Sequence, residues 1–384
     1  MKETEIKYSE ELKELEGSSS LRTLVATEQE GTQIKVNGEW MLNLSGNDYL
    51  GIAAERKLRT KFLKGLNRNT LLPSASSSRL LTGNSGEYEE LESLLCSMFG
   101  SEAALVFNSG YHMNVGILPA VADKRTLILA DKLVHASIID GMRLSAARCY
   151  RYRHNDYKDL KRLIRSYNRV FHHIIIVTES IFSMDGDEAD LKELVKLKKK
   201  NPKVMLYVDE AHAIGVRGEN GLGCAEEQGC IGDIDFLCGT FGKALASVGA
   251  YVICSSVMRE YLVNKMRSLI FSTALPPMNL RWTRFVLEQL PKMKKRREYL
   301  HAISNRLRET LIGRGFTCSG TSHIIPIITG GSDDAVILAA EMRRRGFYVL
   351  PVRPPTVPEG TSRIRLSLSA GITKKEMEQL IEGL

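Results

Sequence analysis

The stretch Cys238-Gly-Thr-Phe-Gly-Lys-Ala-Leu-Ala-Ser-Val-Gly-Ala-Tyr251 carries a single charged side chain, that of Lys243. Largely apolar, strand-like segments flank this stretch on both sides. We expect partial desolvation there, which lowers the pKa of a lysine amine and makes Lys243 a candidate Schiff-base nucleophile. The hydroxyls of Thr240 and Ser247 could hold a phosphate beside it. The alternative is a strand–turn–strand corner whose lysine only reaches solvent. This stretch alone does not distinguish a reactive lysine from such a structural one.

Around this stretch, strand-like and helix-like segments alternate from about residue 103 to residue 255. Several of the strand-like runs are apolar on both faces, as buried parallel strands are. The alternation predicts an α/β fold with a large, doubly wound, mostly parallel sheet. The predicted strands are 104–107, 126–130, 174–178, 204–208, 236–238 and 250–254.

A chain of 384 residues is too long for one small core, and changes in its pattern predict three parts. Residues 1–45 are predicted to form an N-terminal helix and an extended arm, with a hairpin whose Asn37-Gly38 turn is of type I′. Residues 46–275 are predicted to form the large α/β domain. Residues 276–384, which begin at two prolines, are predicted to form a small α+β C-terminal domain.

Composition excludes several classes of protein. Hydrophobic residues make up 43% of the chain and charged residues 26%, which is typical of a globular protein. No apolar run approaches the roughly 18 residues of a membrane span, and the charged N-terminus lacks the apolar core of a signal peptide. We therefore expect a cytoplasmic protein that binds no membrane. The seven cysteines form no C-x-x-C pair, so neither a disulfide framework nor a metal site is predicted.

The formal net charge of +8 raises the question of nucleic-acid binding. The basic runs at 198–200, 292–297 and 343–345 have no interleaved aromatic side chains on which bases could stack. Solvated helix faces are therefore the better interpretation, and no nucleic-acid partner is predicted. A mildly basic surface could also attract an acidic substrate or carrier protein.

Chemically capable residues follow the ends of three predicted strands, where ligands bind in doubly wound sheets. Ser109-Gly110-Tyr111 opens a helix, and the N–H groups of a helix start bind phosphate well. His135 follows a second strand, although a lone histidine is more often structural. Asp209 ends a third strand, within Val208-Asp-Glu-Ala-His212. A carboxylate buried at a strand end is costly unless a cation, such as a protonated pyridine nitrogen, lies beside it. The alternative is that Asp209 caps the start of a following helix.

With four further motifs, these residues resemble the α-oxoamine synthases, a family of fold-type I pyridoxal-phosphate enzymes, over nearly the whole chain. Tyr88 is a departure, because relatives often have a histidine there, and Ala246 and Ala250 stand where glycines are usual. The matching motifs are Asn47-Asp-Tyr-Leu-Gly51, Ser78-Arg-Leu-Leu-Thr-Gly83, Thr178-Glu-Ser-Ile-Phe-Ser-Met-Asp-Gly186, Val208-Asp-Glu-Ala-His212 and Gly239-Thr-Phe-Gly-Lys243.

Within this family, two C-terminal segments are most similar to the branch that condenses L-alanine with a pimeloyl thioester in biotin biosynthesis. These segments are Val352-Arg-Pro-Pro-Thr-Val-Pro358 and Arg363-Ile-Arg-Leu366. The resemblance implies release of CO2 and free thiol, and it leaves open whether coenzyme A or acyl carrier protein carries the acyl group. A family member that uses glycine, such as a glycine C-acetyltransferase, and a pyridoxal-phosphate aminotransferase are the alternatives.

The resemblance also implies a homodimer with its active site at the interface, and roles for individual residues. Lys243 binds the cofactor as a Schiff base, Asp209 pairs with the ring nitrogen, and His135 stacks on the ring; these three are the implied catalytic residues. Arg365 binds the amino-acid carboxylate. The implied cofactor-binding residues are Gly110, Tyr111, His135, Ser183, Asp209, His212, Thr240 and Lys243. The implied substrate-binding residues are Arg22, His135, Thr356 and Arg365.

Overall fold

The structure is a computed structural model that describes residues 3–18 and 21–384, so four residues of the predicted N-terminal part lie outside the described residues. The chain divides into two compact units. The smaller unit comprises Met1–Ala54, Met184–Gly186 and Leu300–Leu384, and the larger unit comprises Glu55–Ser183 and Asp187–Tyr299.

Strands and helices of the described residues are numbered here in chain order. The strands are β1 Thr27–Glu30, β2 Gln33–Val36, β3 Glu39–Asn43, β4 Ala103–Phe107, β5 Thr126–Asp131, β6 Arg148–Tyr152, β7 His173–Glu179, β8 Val204–Asp209, β9 Phe236–Thr240, β10 Ala250–Cys254, β11 Ile324–Gly330, β12 Phe347–Tyr348, β13 Pro351–Val352 and β14 Ser362–Ser367. The helices are α1 Ile6–Gly17, α2 Arg56–Lys64, α3 Gly86–Phe99, α4 Gly110–Val121, α5 Ala136–Leu144, α6 Tyr157–Tyr167, α7 Leu191–Lys199, α8 Cys224–Glu227, α9 Ser256–Lys265, α10 Arg267–Ile270, α11 Pro277–Gln289, α12 Lys294–Gly313, α13 Ser332–Arg344 and α14 Lys374–Gly383.

The larger unit contains a seven-stranded sheet in the order β4-β10-β9-β8-β7-β5-β6. Strand β10 runs antiparallel to both of its neighbours, and the other pairs are parallel. The central strands β5 and β9 are buried along their whole length, and β8 at all but one residue, because helices cover the sheet, which explains their apolar sequences. The predicted α/β fold with a mostly parallel sheet is confirmed.

Register brings the ends of three parallel strands to one edge of this sheet. Glu179 of β7 lies opposite Asp209 of β8, and Asp209 lies opposite Cys238 of β9. Residues that follow these strands therefore start from neighbouring positions, although they are distant in sequence. This edge is the one at which doubly wound sheets bind their ligands.

The smaller unit contains two sheets, in the orders β1-β2-β3-β12 and β11-β14-β13. Strands β2 and β3 form the predicted hairpin, and both turn residues have positive φ, 51° at Asn37 and 89° at Gly38. Two positive φ angles are the signature of a type I′ turn, whose twist matches that of the strands.

The short segment Met184–Gly186 belongs to the smaller unit for two local reasons. The buried guanidinium of Arg363 donates to Asp185 Oδ1 at 2.6 Å and to the carbonyl of Met184 at 3.3 Å. Gly186 has a φ of +66°, and a Cβ there would lie 2.1 Å from the carbonyl oxygen of Ile324. This end of the Ser-Met-Asp-Gly motif thus requires glycine.

The unit boundaries differ from the predicted domain boundaries at 45/46 and 275/276. The N-terminal arm joins the smaller unit because β3 pairs with β12 in parallel, Leu42 opposite Phe347. Helix α11 joins the larger unit because it packs on α3, where Arg281 Nη2 lies 2.6 Å from Glu87 Oε1. The two prolines at 276 and 277 therefore start a helix of the larger unit and do not mark its end.

In the described ranges, no helix is both long and apolar enough to cross a lipid bilayer. The same residues contain no group of three or more His, Cys, Asp or Glu side chains arranged to hold a metal ion. All seven cysteines are free thiols, and four of them are buried.

A histidine whose two ring nitrogens are both hydrogen-bonded joins β5 to the segment that precedes α7 in the larger unit. His154 Nδ1 lies 2.8 Å from Asp131 Oδ1, and its Nε2 lies 2.7 Å from Asp187 Oδ2. Burial opposes the charged imidazole, but these two hydrogen bonds and their charges raise the pKa of His154 to about 10. The ring is therefore an imidazolium at neutral pH, and it neutralises the fully buried Asp131.

We expect His154→Gln to lower the free energy of unfolding by about 3 kcal/mol at pH 6, because it leaves a buried carboxylate without its cation. The pKa of His154 is higher in the folded state than its unfolded value of about 6.5. Its contribution to the free energy of unfolding is therefore complete below pH 6.5 and is lost as the pH rises toward 10. The difference between wild type and variant, measured by urea unfolding, should therefore shrink between pH 6 and pH 10. His172→Gln, at an exposed position, is the control. A difference that stays constant with pH would contradict the imidazolium.

Candidate active site

Lys243 lies in the loop that connects β9 to β10, and its side chain is half-buried. Its Nζ is hydrogen-bonded to His212 Nε2 at 2.7 Å. Thr240, at the end of β9, is buried; its hydroxyl donates to the carbonyl of Gly249 at 3.0 Å and accepts from the N–H of Gly242 at 3.2 Å. The structure thus brings together the lysine of one predicted motif and the histidine of another.

Asp209 is buried at the end of β8, with 5% of its surface exposed. Its Oδ1 accepts the N–H of Ala211 at 2.9 Å, and its Oδ2 accepts from Asn114 Nδ2 at 2.9 Å. These two bonds fix the plane of the carboxylate. Asn114, on α4, was not identified from the sequence.

His135 is the N-cap of α5, and its Nδ1 accepts the N–H of Ser137 at 3.2 Å. Its side chain reaches solvent, yet the surrounding protein lowers the pKa of the imidazole by desolvation, and the charge of Lys243 lowers it further. Asp209 and Asp140 act in the opposite direction. Asp209 and Lys243 therefore both lie close enough to His135 to act on the charge of its imidazole.

Three other predicted cofactor residues occupy the same unit. Gly110 begins α4, and a Cβ there would come no closer than 3.9 Å to the side chain of Thr240, so there is open space at the helix start. Tyr111 is exposed, and its hydroxyl donates to Asp140 Oδ2 at 3.0 Å. Ser183 is buried just after β7. All eight predicted cofactor residues therefore lie in the larger unit.

Two buried glutamates, Glu179 and Glu210, lie beside the site, and the motifs that contain them did not imply a role for either one. Burial and the charge of Asp209 raise the pKa of Glu179 to about 8, while Lys243 and the N–H of His135 act against them. Burial raises the pKa of Glu210 to about 7, and its carboxylate accepts from the Ser180 hydroxyl at 2.6 Å and from the first N–H groups of α8. In the sequence, the only sign of a role for these residues is their position, since Glu179 ends β7 and Glu210 directly follows β8.

The predicted substrate residues Arg22, Thr356 and Arg365 lie in the smaller unit. Arg22 Nη2 donates to Thr356 Oγ1 at 3.2 Å, so the structure brings these two together although 334 residues separate them. Arg365, on β14, donates to the buried Tyr49 hydroxyl at 3.2 Å, and its Nη2 lies 3.5 Å from Asn47 Oδ1. The Asn-Asp-Tyr-Leu-Gly motif therefore supports the guanidinium of Arg365.

Tyr88, the departure from the family pattern, is fully buried in the larger unit. Its hydroxyl accepts the N–H of Leu275 at 2.7 Å, and the guanidinium carbon of Arg79 lies 3.9 Å from its ring centroid. Arg79 also donates to Glu92 at 2.8 Å. Tyr88 thus serves to pack Arg79 and the segment before α11.

The geometry described above agrees with comparisons to known proteins. The family model for aminotransferase class I and II matches residues 39–384. The chain belongs to that family. It is 53% identical over 378 residues to a Pasteurella multocida protein provisionally named 8-amino-7-oxononanoate synthase, with 98% of each chain covered. A Neisseria meningitidis protein with the same provisional name is 52% identical, with 97% of this chain and 98% of the relative covered.

Among solved structures, the chain is similar to serine palmitoyltransferase from Sphingomonas wittichii, with a TM-score of 0.92, 29% identity and coverage of 100% of this chain and 97% of that one. It is also similar to 8-amino-7-oxononanoate synthase from Francisella tularensis, with a TM-score of 0.74, 28% identity and coverage of 89% and 96%. The resemblance to the α-oxoamine synthases that the motifs indicated is confirmed.

The residues at the sheet edge fit pyridoxal phosphate. Asp209 is a buried carboxylate, and Oε1 of the adjacent Glu179 has no hydrogen-bond partner among the described residues, so a cationic ring nitrogen suits this environment. The open space at Gly110, beside the first N–H groups of α4, suits a phosphate. Lys243 supplies the amine that the cofactor's aldehyde requires.

Ala246 adopts a left-handed conformation in the loop that carries Lys243, with a φ of +46°. Its N–H donates to the carbonyl of Lys243 at 2.9 Å, and its carbonyl accepts from Trp282 Nε1 at 2.8 Å, so both bonds hold the strained backbone. An L-residue in this region costs roughly 1–2 kcal/mol. This alanine, at a position where the resemblance implies a glycine, therefore stores strain next to the lysine.

We expect Ala246→Gly to raise the free energy of unfolding by about 0.5 kcal/mol, because relief of strain exceeds the added entropy of the unfolded chain. The control is Ala250→Gly, at the other alanine that replaces a glycine, which is buried in β10. That change should instead destabilise by about 1 kcal/mol, since glycine weakens an extended strand. Denaturant unfolding of both variants measures the effect; destabilisation by both changes would argue against strain at Ala246.

Proposed function

We propose that this protein catalyses the condensation of L-alanine with a pimeloyl thioester, with loss of CO2 and free thiol, to give 8-amino-7-oxononanoate for biotin biosynthesis. The observation that carries the proposal is that Lys243 is hydrogen-bonded to His212, three residues after the buried Asp209, at one edge of a mostly parallel sheet. The relatives at 52–53% identity support the choice of substrates through their names. Coenzyme A and acyl carrier protein both satisfy the proposal as carriers of the acyl group, and a cytoplasmic location stays a prediction.

Pyridoxal phosphate is the cofactor of this enzyme, and when bound it supplies an electron sink beside the Cα of the amino acid. Asp209 holds a proton at the ring nitrogen, because a buried carboxylate favours a cation next to it. Lys243 takes the proton from the amino-acid Cα, and His212, 2.7 Å from Nζ, orients its amine. His135 presents a neutral imidazole at the same edge of the sheet.

Substrate recognition is assigned to the smaller unit. Arg365 offers two parallel N–H donors to the carboxylate of alanine, a match that lysine does not reproduce. Tyr49 and Asn47 limit the rotation of its guanidinium, so less entropy is lost when the carboxylate binds. Thr356 and Arg22, which are hydrogen-bonded to each other, are proposed to contact the substrate. The proline-rich segment around Thr356 restricts the backbone there.

The test of this function is a substrate matrix of alanine, glycine and serine against acetyl, succinyl, palmitoyl and pimeloyl thioesters. We expect alanine with a pimeloyl thioester to give the highest kcat/KM, with CO2 and thiol released in equal amounts. Lys243→Ala should abolish turnover. Arg365→Lys should raise the KM for alanine at least tenfold, because it loses one of two charge-assisted hydrogen bonds.

Arg306→Lys, at an exposed position of α12, is the matched control and should leave KM unchanged. A preference for glycine with acetyl-coenzyme A would make the protein a glycine C-acetyltransferase. Serine with the palmitoyl thioester would make it similar in activity to the serine palmitoyltransferases. Keto-acid formation without CO2 would make it an aminotransferase, and each of these results would overturn the proposal.

A homodimer with its active site at the interface is part of the proposal. An exposed apolar surface of the larger unit supports it, formed by the chain at 71–81 and the segment after α10. The two segments adjoin, since Ser78 pairs with Thr273 and the carbonyl of Leu72 accepts the N–H of Met278. Contiguous exposed apolar surface is typical of protein interfaces. The exposed side chains of this surface are Leu71, Leu72, Leu80, Leu81 and Phe271.

We expect Leu81→Asp combined with Phe271→Asp to give a monomer in sedimentation, because two buried carboxylates would lack partners in a closed interface. The monomer should be inactive, and wild type should sediment as a symmetric dimer. Val170→Asp, at an exposed apolar residue in the loop before β7, is the control and should remain dimeric and active. A wild-type protein that is active as a monomer would contradict this assembly.

A further inference from the structure

A chain of hydrogen bonds, buried around Asn114, connects Asp209 to His135 through the side chain of Asn114. Asn114 lies one turn into α4 and is 2% exposed. The Tyr207 hydroxyl lies 2.5 Å from Asn114 Oδ1. Asn114 Nδ2 lies 2.9 Å from Asp209 Oδ2 and also 2.9 Å from Ser137 Oγ. Each polar atom of this amide therefore has a partner.

The direction of these bonds follows from Asp209. An ionised carboxylate only accepts hydrogen bonds, so the group that faces it must be the NH2 of Asn114. The Tyr207 hydroxyl then donates to Oδ1, because that oxygen carries no hydrogen. A flipped amide would put an oxygen against the carboxylate of Asp209. The orientation of Asn114 is thus set by chemistry.

The second hydrogen of the same NH2 group goes to Ser137. The backbone N–H of Ser137 donates to His135 Nδ1, so Nδ1 is an acceptor and a neutral ring carries its hydrogen on Nε2. The Ser137 hydroxyl, 2.8 Å from Nδ1, must therefore donate to it as well. This leaves a lone pair on Ser137 Oγ for Asn114, and the donors run in one direction from Tyr207 to His135.

We infer that Asn114 is a positioning residue that holds the Asp209 carboxylate with one amide hydrogen and directs the Ser137 hydroxyl to His135 with the other. One side chain thereby couples the orientation of the carboxylate to the hydrogen bonding of the imidazole. The inference rests on the proposed function only where it assigns Asp209 and His135 to the cofactor; the hydrogen bonds do not depend on it.

The main chain of Asn114 is held as firmly as its side chain. Helix α4 packs on α5 at Gly141, where a Cβ would lie 2.4 Å from the carbonyl oxygen of Asn114. Only glycine permits this approach. The close contact fixes the distance from Asn114 to the start of α5, where His135 and Ser137 lie. One amide can therefore reach both Asp209 and Ser137.

Other charged groups also act on His135. Lys243 lowers the pKa of its imidazole, and Asp209 and Asp140 raise it. The backbone N–H of His135 in turn lowers the pKa of the Glu179 carboxyl. None of these groups donates to Nδ1 in the structure, so the nitrogen-15 shift of Nδ1 reports on Ser137 rather than on its charged neighbours.

The first test is nitrogen-15 NMR of histidine-labelled protein without cofactor at pH 8, with His135 assigned through His135→Gln. In wild type, Nδ1 should show the shift of a hydrogen-bonded acceptor. Ser137→Ala and Asn114→Ala should both move this shift toward that of a free ring nitrogen. A shift that moves in Ser137→Ala but not in Asn114→Ala would overturn the coupling. Asn114→Ser, with the same expected loss, replaces Asn114→Ala if the latter does not fold.

The second test is binding of pyridoxal phosphate, followed by its visible absorbance across pH. Asn114→Ala should raise Kd about tenfold and should move the spectral midpoint of the ring nitrogen to lower pH, because a carboxylate that is no longer held in one orientation stabilises the cationic ring less. Ser137→Ala leaves the bond to Asp209 intact, so it should change neither quantity. Equal effects of Ser137→Ala and Asn114→Ala would overturn the assignment.

Thr126→Val is the control for general destabilisation. It removes a buried hydroxyl at the opposite end of β5 and should lower stability without changing either spectrum. A change of the Nδ1 shift in Thr126→Val equal to that in Asn114→Ala would overturn the positioning role. If wild type bound no pyridoxal phosphate, the proposed function would fail, whereas the NMR result would still decide the link from Asn114 to His135.

Discussion

The rest of the site depends on one constraint, which is that the carboxylate of Asp209 is buried at the end of an apolar strand. A buried charge costs several kcal/mol unless hydrogen bonds and a cation compensate it. Register adds a second carboxyl, since Glu179 of β7 lies opposite Asp209 of β8. With the pKa of Glu179 raised to about 8, that group keeps its proton at neutral pH and the pair carries one charge. Asn114, the N–H of Ala211 and the proposed cofactor then compensate the charge of Asp209.

Much of this architecture could be predicted from the sequence, because apolar runs and strand ends are local signals. Strand β10 was predicted with its observed bounds, and the hairpin turn at Asn37-Gly38 was also predicted. Strand β6 was missed, since Arg148-Cys-Tyr-Arg-Tyr152 lies at the edge of the sheet and only its last residue is buried. Edge strands lack the apolar sequence on which the prediction relied.

The parts that could not be predicted depend on contacts between residues distant in sequence. Asn114 is an ordinary polar residue of a helix until the fold places it beside Asp209, 95 positions later. Tyr88 stands out in the sequence only as a departure from the family pattern, and the fold packs its fully buried ring against Arg79. The two prolines at the start of α11 have the local pattern of a domain boundary, and only the packing of α11 on α3 excludes that interpretation.

The loop that carries Lys243 connects two neighbouring, antiparallel strands of the central sheet. Its ends are joined by a hydrogen bond from the N–H of Phe241 to the carbonyl of Gly249, and Ser247 donates back to Phe241. A loop held in this way cannot open without loss of the strand pairing beneath it. Amide hydrogens at Phe241 and Ser247 should therefore exchange with solvent no faster than the strand pairing opens, which makes the lysine loop part of the same cooperative unit as the sheet.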